Sequence, residues 1–325
     1  MQGQRLPVLS KAGGTGGRVT DFYLITGFLG TGKTTLLKSL LPLFAGKRIR
    51  LIINEFGKVG LDGALMREYD ADIAEIVNGS IFCVCRLDQF ETALGEAIAD
   101  APDVILVETS GLSDPGAIRT ILSQYEQAGA LRYRSAICLV DALRFQKVLE
   151  TARACKKQLA VADLVLINKC DMVSEEDCAA VERMLDGICL APRVRTSYGK
   201  ITKEQLESLV PMDHAAMIDH RPDLTLQKEQ LVISPESTSS QVIRMLTLLA
   251  EDTYRMKGFL HITDGRFLVD CVGAEVRVSP YSGYMENENC VTLLAGEGMP
   301  LRKALKALEQ EFGTLVIWQK GNQHD

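Results

Sequence analysis

Between Asp21 and about Pro211, short apolar runs alternate with amphipathic stretches. The runs Phe22–Thr26, Arg50–Asn54, Ile73–Val77, Val104–Glu108, Ala136–Val140, Leu164–Asn168 and Arg193–Thr196 have strand length. Several are unbroken Val/Ile/Leu, as a strand covered on both faces requires, because neither face meets water. Between them, Phe90–Ala99, Gly116–Gln127 and Glu175–Leu185 repeat apolar residues at helical spacing, and Asp114-Pro115 and Ser174 stand where helices start. Strands alternating with helices predict an α/β domain built on a mostly parallel sheet.

Around Pro211 to Pro222 this rhythm breaks into a polar, proline-bracketed segment, which reads as a linker. Beyond it the pattern predicts a strand near Gln230–Ile233, a helix over Ser239–Ala250, and strands near Gly258–Thr263, Phe267–Val272, Glu275–Val278 and Val291–Leu294. A helix over Leu301–Phe312 and the apolar tail Leu315–Trp318 close the chain. Turns such as Asp264-Gly265 suit antiparallel strands, so this part reads as a smaller α+β domain. The expected organisation is a flexible tail over 1–20, an α/β domain over 21–211, a linker over 212–224 and the α+β domain over 225–325.

The first expected strand runs into Gly27-Phe28-Leu29-Gly30-Thr31-Gly32-Lys33-Thr34-Thr35, and an apolar helical segment follows. A G-x-x-x-x-G-K-S/T stretch between a strand and a helix is a phosphate-binding loop. Its glycines let successive backbone N–H groups face phosphate oxygens, and the helix adds the positive end of its dipole. Gly27, Gly30, Thr31, Gly32, Lys33, Thr34 and Thr35 are therefore expected nucleotide contacts, with Lys33 at the β- and γ-phosphates and the Thr34 hydroxyl on Mg2+.

Two further strand ends extend that expectation. Val104–Val107 leads into Glu108-Thr109-Ser110-Gly111, where a carboxylate can hold a Mg2+-bound water and the Gly111 amide can face the γ-phosphate. Lys33, Thr34 and Glu108 are thus the expected catalytic set. Leu164–Ile167 leads into Asn168-Lys169-Cys170-Asp171, the N-K-x-D pattern. Asp171 can accept from guanine N1–H and the exocyclic amine, donors that adenine lacks there, while Asn168 and Lys169 brace loop and ring. Ser197, in the Thr196–Gly199 loop after the next strand, is a second expected base contact. GTP rather than ATP follows, and this counts against a kinase or ATPase of the same loop type.

Composition narrows the setting. With 46% hydrophobic and 24% charged residues the chain is of ordinary globular type. A net charge of -6 with no basic run counts against nucleic-acid binding, and no apolar stretch approaches membrane-spanning length. The Gly-rich start, with Arg5, Lys11 and Arg18, has no apolar core of a secretory signal. The 9 cysteines form no spaced framework, so a reducing compartment, the cytoplasm, is expected.

The ordered set of motifs resembles the CobW-like GTPases, metal-associated relatives of the UreG and HypB chaperones. It comprises Gly27–Thr35, Asn54-Glu55-Phe56-Gly57 with Asp62, Glu75–Gly79, Glu108–Pro115, Asn168–Asp171, Ser197–Gly199 and, near the C-terminus, Arg255–Phe259. The resemblance implies a slow GTPase whose nucleotide state governs metal handling, often as a dimer, with a client metalloenzyme or cofactor-pathway protein. Asn54, Glu55 and Asp62 lie on a loop after a strand, as switch segments do, and the sequence does not choose which of them positions water.

One departure stands out. Relatives usually continue C-x-C-C after the Asn78-Gly79 pair, whereas here Ser80-Ile81-Phe82-Cys83-Val84-Cys85 follows. Cys83 and Cys85 can share a soft ion such as Zn2+ or Co2+ without completing a tetrahedral site, or they can be packing residues. His214, His220, His261 and His324 form no His-rich loop, and His214 and His220 read as solvated linker residues. Two functions remain open: a GTP-dependent metallochaperone, and a GTP-dependent activator of a metalloenzyme or corrinoid protein that carries no metal itself.

Overall fold

A computed structural model describes residues 19–53, 68–69, 71–75, 87–111, 115–214, 226–283, 288–296 and 298–319. In chain order the first part contains β1 (Thr20–Gly27), α1 (Lys33–Leu40), β2 (Ile49–Ile53), β3 (Ala71–Glu75), α2 (Leu87–Ala99), β4 (Val104–Glu108) and α3 (Gly116–Gln127). It continues with β5 (Leu131–Asp141), α4 (Phe145–Thr151), α5 (Arg153–Ala160), β6 (Leu164–Asn168), α6 (Glu175–Asp186), β7 (Arg193–Arg195) and α7 (Lys203–Glu207). The seven strands form one sheet in the order β3-β2-β4-β1-β5-β6-β7, with every pairing parallel.

The unbroken apolar runs are the central strands: every residue of β4 and of β6 is buried. Apolar clusters cover both faces. Leu36, Leu37 and Leu40 of α1 pack with Ile25, Leu51 and Leu106 on one side, and Phe90, Leu94, Ile118 and Leu122 pack with Phe22, Ile52 and Ile105 on the other. Ser174 caps α6 through a reciprocal box with Asp177, an arrangement that contributes about 1 kcal/mol. The chain turns outward in opposite directions after β1 and β4, so the loops following these strands meet at the carboxyl edge of the sheet, where α/β folds place ligands.

The second part contains β8 (Leu226–Ile233), α8 (Ser239–Ala250), β9 (Arg255–Ile262), β10 (Gly265–Val272), β11 (Val278–Pro280), β12 (Cys290–Gly296), α9 (Leu301–Phe312) and β13 (Val316–Gln319). Its six strands pair antiparallel in the order β11-β10-β9-β12-β8-β13. Leu301, Leu305 and Leu308, spaced one helical turn apart, seat α9 on this sheet. Among the described residues no helix is long and apolar enough to cross a membrane.

Three expectations need correction. The strand expected over Glu275–Val278 is Val278–Pro280, because β10 runs on to Val272 and Glu275 folds back to bridge it through a turn at Gly273. His214, expected in solvent, is 7% exposed and places Nε2 2.9 Å from Asp163 Oδ1. Asp163 also accepts from the Met212 N–H at 2.6 Å, so the chain is fastened to the parallel sheet as far as His214. The third is an omission: α4 and α5, separated by Ala152 in extended backbone, were not foreseen, and they carry the contacts to the second sheet.

Candidate functional site at the carboxyl edge of the parallel sheet

The phosphate loop joins β1 to α1. Gly27 and Gly32 have φ of 139° and 99°, and a Cβ at either would lie 2.5 Å from Leu139 O or from Asn168 Nδ2 respectively, so only glycine fits. Lys33, 5% exposed, folds its ammonium under the loop and donates to the carbonyl oxygens of Gly27 and Phe28, both at 3.0 Å. Thr31 Oγ1 donates to Phe28 O at 2.9 Å, while Thr35 is exposed at the start of α1.

From β4, Glu108 reaches the same place. Thr34 Oγ1 donates to Glu108 Oε1 at 3.0 Å, although the two residues are 74 apart in sequence. A hydroxyl and a carboxylate so close form part of an oxygen-donor set that suits Mg2+, which takes few protein oxygens and keeps several waters. The strand end itself is fixed, since the Thr109 N–H donates to Ile25 O at 3.0 Å and its hydroxyl to Thr26 Oγ1 at 3.2 Å. Gly111 is buried against the phosphate loop: a Cβ there would lie 2.7 Å from Leu29 N.

The base-reading side is tied to the phosphate side by one buried amide. Asn168 Nδ2 donates to Thr31 O at 2.8 Å, and Asn168 Oδ1 accepts from the Gly199 N–H at 2.9 Å. Ser39 Oγ, on α1, donates to Gly199 O at 2.7 Å, so the Thr196–Gly199 loop is held to both motifs. Ser197 Oγ accepts from the Asp171 N–H at 3.1 Å, which places the two expected base contacts side by side with Asp171 in solvent. Lys169, at φ 65°, turns its ammonium onto Asp141 Oδ2 at 2.6 Å. Asp141 was missed in the sequence. Its signal was an acid at the end of an apolar strand, the same signal that marked Glu108.

The structure thus brings together Gly27, Gly30, Thr31, Gly32, Lys33, Thr34, Thr35, Glu108, Gly111, Asn168, Lys169, Asp171 and Ser197 at one sheet edge. Asn54, Glu55, Asp62, Cys83 and Cys85 lie outside the described residues. Among the described residues no group of three or more His, Cys, Asp or Glu side chains is placed to hold a metal ion. Within the N-K-x-D turn, burial and the neighbouring Cys178 thiol push Cys170 up to about 11, so it stays a thiol at neutral pH.

The second sheet also reaches this site. Phe28 and Leu29 of the phosphate loop, with Ala152 and Ala154, lie in the same apolar cluster as Leu246, Leu249, Tyr254 and Met256. Arg144 Nη1 donates to Val272 O at 2.8 Å, Lys147 Nζ donates to Glu251 O, and Tyr254 Oη donates to Thr151 Oγ1.

Comparison with known proteins gives the following. The family model described as CobW/HypB/UreG, nucleotide-binding domain, matches residues 21–194. A protein of Sinorhizobium sp named zinc chaperone CobW is 29% identical over 307 residues, spanning 78% of this chain and 85% of its own length. Zinc chaperone YeiR of Escherichia coli is 35% identical over 171 residues, and the match spans 51% of each chain. Among solved structures, the Zn(II)-bound YjiA GTPase from E. coli aligns with a TM-score of 0.45 and 22% identity, covering 90% of this chain and 98% of that one.

Proposed function

We propose, since this chain belongs to the CobW/HypB/UreG family of nucleotide-binding proteins, that it binds GTP with Mg2+, hydrolyses it slowly, and uses the change of nucleotide state to hand a transition metal or metal cofactor to a client protein. The observation that carries the nucleotide part is the Asn168 amide, which ties the phosphate loop at Thr31 to the base-reading loop at Gly199. A pocket whose two halves share one buried hydrogen-bonded group is held in one arrangement, which supports the guanine-nucleotide reading. In this reading Lys33 neutralises the β- and γ-phosphates, and Asp171 with Ser197 selects the base. Thr34 and Glu108 hold the Mg2+, which supplies charge stabilisation for phosphoryl transfer when bound. Gly111 lies against the γ-phosphate side, and Asn54, Glu55 and Asp62 are candidates for positioning the attacking water.

The names of the relatives make Zn2+ the first cargo to test, with Cys83 and Cys85 as its proposed ligands. A cytoplasmic setting is supported by the seven described cysteines, all of which are free. The second reading, a GTP-dependent activator that carries no metal, is favoured by Ser80 and Phe82 standing where relatives have cysteine. Nucleotide competition among GTP, ATP and XTP, phosphate release, and Zn2+ titration of the reduced protein test the proposal together. ATP displacing GTP at equal concentration sinks the guanine assignment, and GTP turnover without Zn2+ binding selects the activator. Light scattering in each nucleotide state tests the dimer that the family resemblance implies.

A further inference from the structure

Gln158 lies in the last turn of α5, 1% exposed, and is not among the expected nucleotide contacts. Its Nε2 donates to the carbonyl oxygen of Gly111 at 3.0 Å, across 47 residues of sequence. Its Oε1 is equally buried and finds no hydrogen-bond partner among the described residues. A buried amide oxygen without a donor costs about 1–3 kcal/mol, so a protein keeps such a group where another arrangement uses it.

Gly111 is the residue that makes this arrangement informative. It follows Glu108 on the γ-phosphate side of the pocket, and its Cα sits against Leu29 of the phosphate loop. Glycine lets the peptide that follows turn over, which replaces the carbonyl on one edge by the N–H on the other. A glutamine offers a donor and an acceptor on one rigid head, so it can grip either orientation. A lysine in its place, which only donates, would leave one orientation unheld.

The grip is transmitted because α5 is shared between two cores. Cys155 and Leu159 pack under β5 and β6, while Ala154 and the preceding Ala152 lie in the cluster built by the second sheet and its helices. Just before α5, Thr151 accepts from Tyr254 Oη, and Arg144 holds the Val272 carbonyl at the end of β10. Gly111, Gln158, α5, the adjoining α4 and the β9–β10 hairpin therefore form one continuous chain of contacts from the side assigned to the γ-phosphate to the antiparallel sheet.

We propose that Gln158 is a positioning residue that senses the orientation of the Gly111 peptide and passes it through α5 to the β9–β10 hairpin, so that the second domain responds to whether a γ-phosphate is bound. This rests on the proposed nucleotide site, with Gly111 facing the γ-phosphate.

The test compares the full chain and Gln158→Met, a substitution of similar length with no donor and only a weak acceptor. Each is saturated with GDP or with a nonhydrolysable GTP analogue. In the parent, amide hydrogen exchange over Arg153–Ala160 and Arg255–Val272 differs between the two nucleotides. In Gln158→Met that difference disappears, and the ratio of analogue to GDP affinity shifts by about fivefold or more, the lower end of ordinary allosteric coupling. A purely structural glutamine lowers the melting temperature and both affinities together, leaving the ratio and the exchange difference in place, and that result overturns the proposal. Should the variant fail to fold, the parent decides alone, since equal exchange over Arg153–Ala160 in both nucleotides also overturns it. A parent that binds neither nucleotide removes the site itself, whereas normal binding with no difference at α5 removes only the role of Gln158.

Discussion

The ring of Phe28, the second residue of the phosphate loop, meets the ring of Tyr254 edge-on, with centroids 4.8 Å apart and an interplanar angle of 81°. Phe28 is 3% exposed and lies within the core of the second sheet. The loop geometry is therefore held from both sides: by Lys33 and Asn168 from the parallel sheet, and by Tyr254 from the antiparallel one.

Tyr254→Ala removes that support. Deleting a buried aromatic ring costs about 3–5 kcal/mol of stability, and the cavity opens directly beneath Phe28. The expected outcome is weaker GDP binding as well as a lower melting temperature, whereas Tyr254→Phe keeps the ring, loses the bond to Thr151, and binds GDP nearly as the parent does. Both variants binding GDP with parental affinity would show that the second domain does not support the loop.

Lys33→Ala addresses the phosphate side. The lysine is buried and donates to two carbonyl oxygens of the loop, and its removal is expected to leave the sheet intact while withdrawing a charge-assisted contact of about 2–3 kcal/mol. GTP affinity is expected to fall by roughly 30- to 150-fold, and turnover to fall below detection, with circular dichroism unchanged. Calorimetry on the purified variant decides the matter, and parental turnover would move the active site elsewhere.

How much of this was legible depended on how local each signal was. The phosphate loop, Glu108 and Asn168–Asp171 could be read because phosphate and base recognition need particular residue types at fixed short spacing at strand ends. The pair α4 and α5 could not, because each is short and the apolar face of α5 is divided between two cores, Ala154 to one and Cys155 and Leu159 to the other. No single amphipathic stripe results. His214 looked like a linker residue because its partner, Asp163, stands 51 positions earlier. The contact of Phe28 with Tyr254 has no local signature at all.

Asp171→Asn tests the base. The carboxylate side chain is exposed beside Ser197, so the substitution leaves packing untouched and replaces one acceptor oxygen by an amide N–H facing the guanine exocyclic amine. Preference should move toward xanthine nucleotides, whose C2 oxygen accepts from that amide, and the ratio of GTP to XTP affinity falls. A ratio equal to the parent's places the base away from Asp171.

Asp163 makes folding sensitive to acid. Burial alone would raise its carboxyl, but hydrogen bonds from His214, the Met212 and Ala136 amides and Tyr133 outweigh burial and hold it below the usual aspartate value. His214 Nε2 carries the shared proton, since an ionised carboxylate only accepts. With the folded value depressed, the stabilisation is fully present above the unfolded aspartate value near 3.9 and is lost as pH falls through the lower, folded one. Asp163→Asn is expected to lose on the order of 3 kcal/mol at neutral pH and to show a shallower decline in stability below about pH 4. Urea denaturation at several pH values measures both, and a parallel pH dependence in parent and variant refutes the assignment.

The metal prediction follows from the order of the motifs. In sequence, Cys83 and Cys85 follow Glu75–Gly79 and precede α2, and a metal held by them is expected to feel whichever arrangement the γ-phosphate selects. Coupling between two ligands is reciprocal: if the GTP analogue changes zinc affinity by some factor, zinc changes analogue affinity by the same factor. Zn2+ is therefore expected to bind the analogue and GDP forms with affinities differing by about 5- to 150-fold, the usual range of such coupling. Binding should release protons and weaken as pH falls, because the ligands are thiolates. Cys83→Ser with Cys85→Ser should abolish the difference while GTP binding, which the proposed site assigns to Lys33, Thr34 and Asp171, stays parental. Zinc binding unchanged in the double variant makes these cysteines packing residues, and the protein is then better understood as an activator whose partner carries the metal.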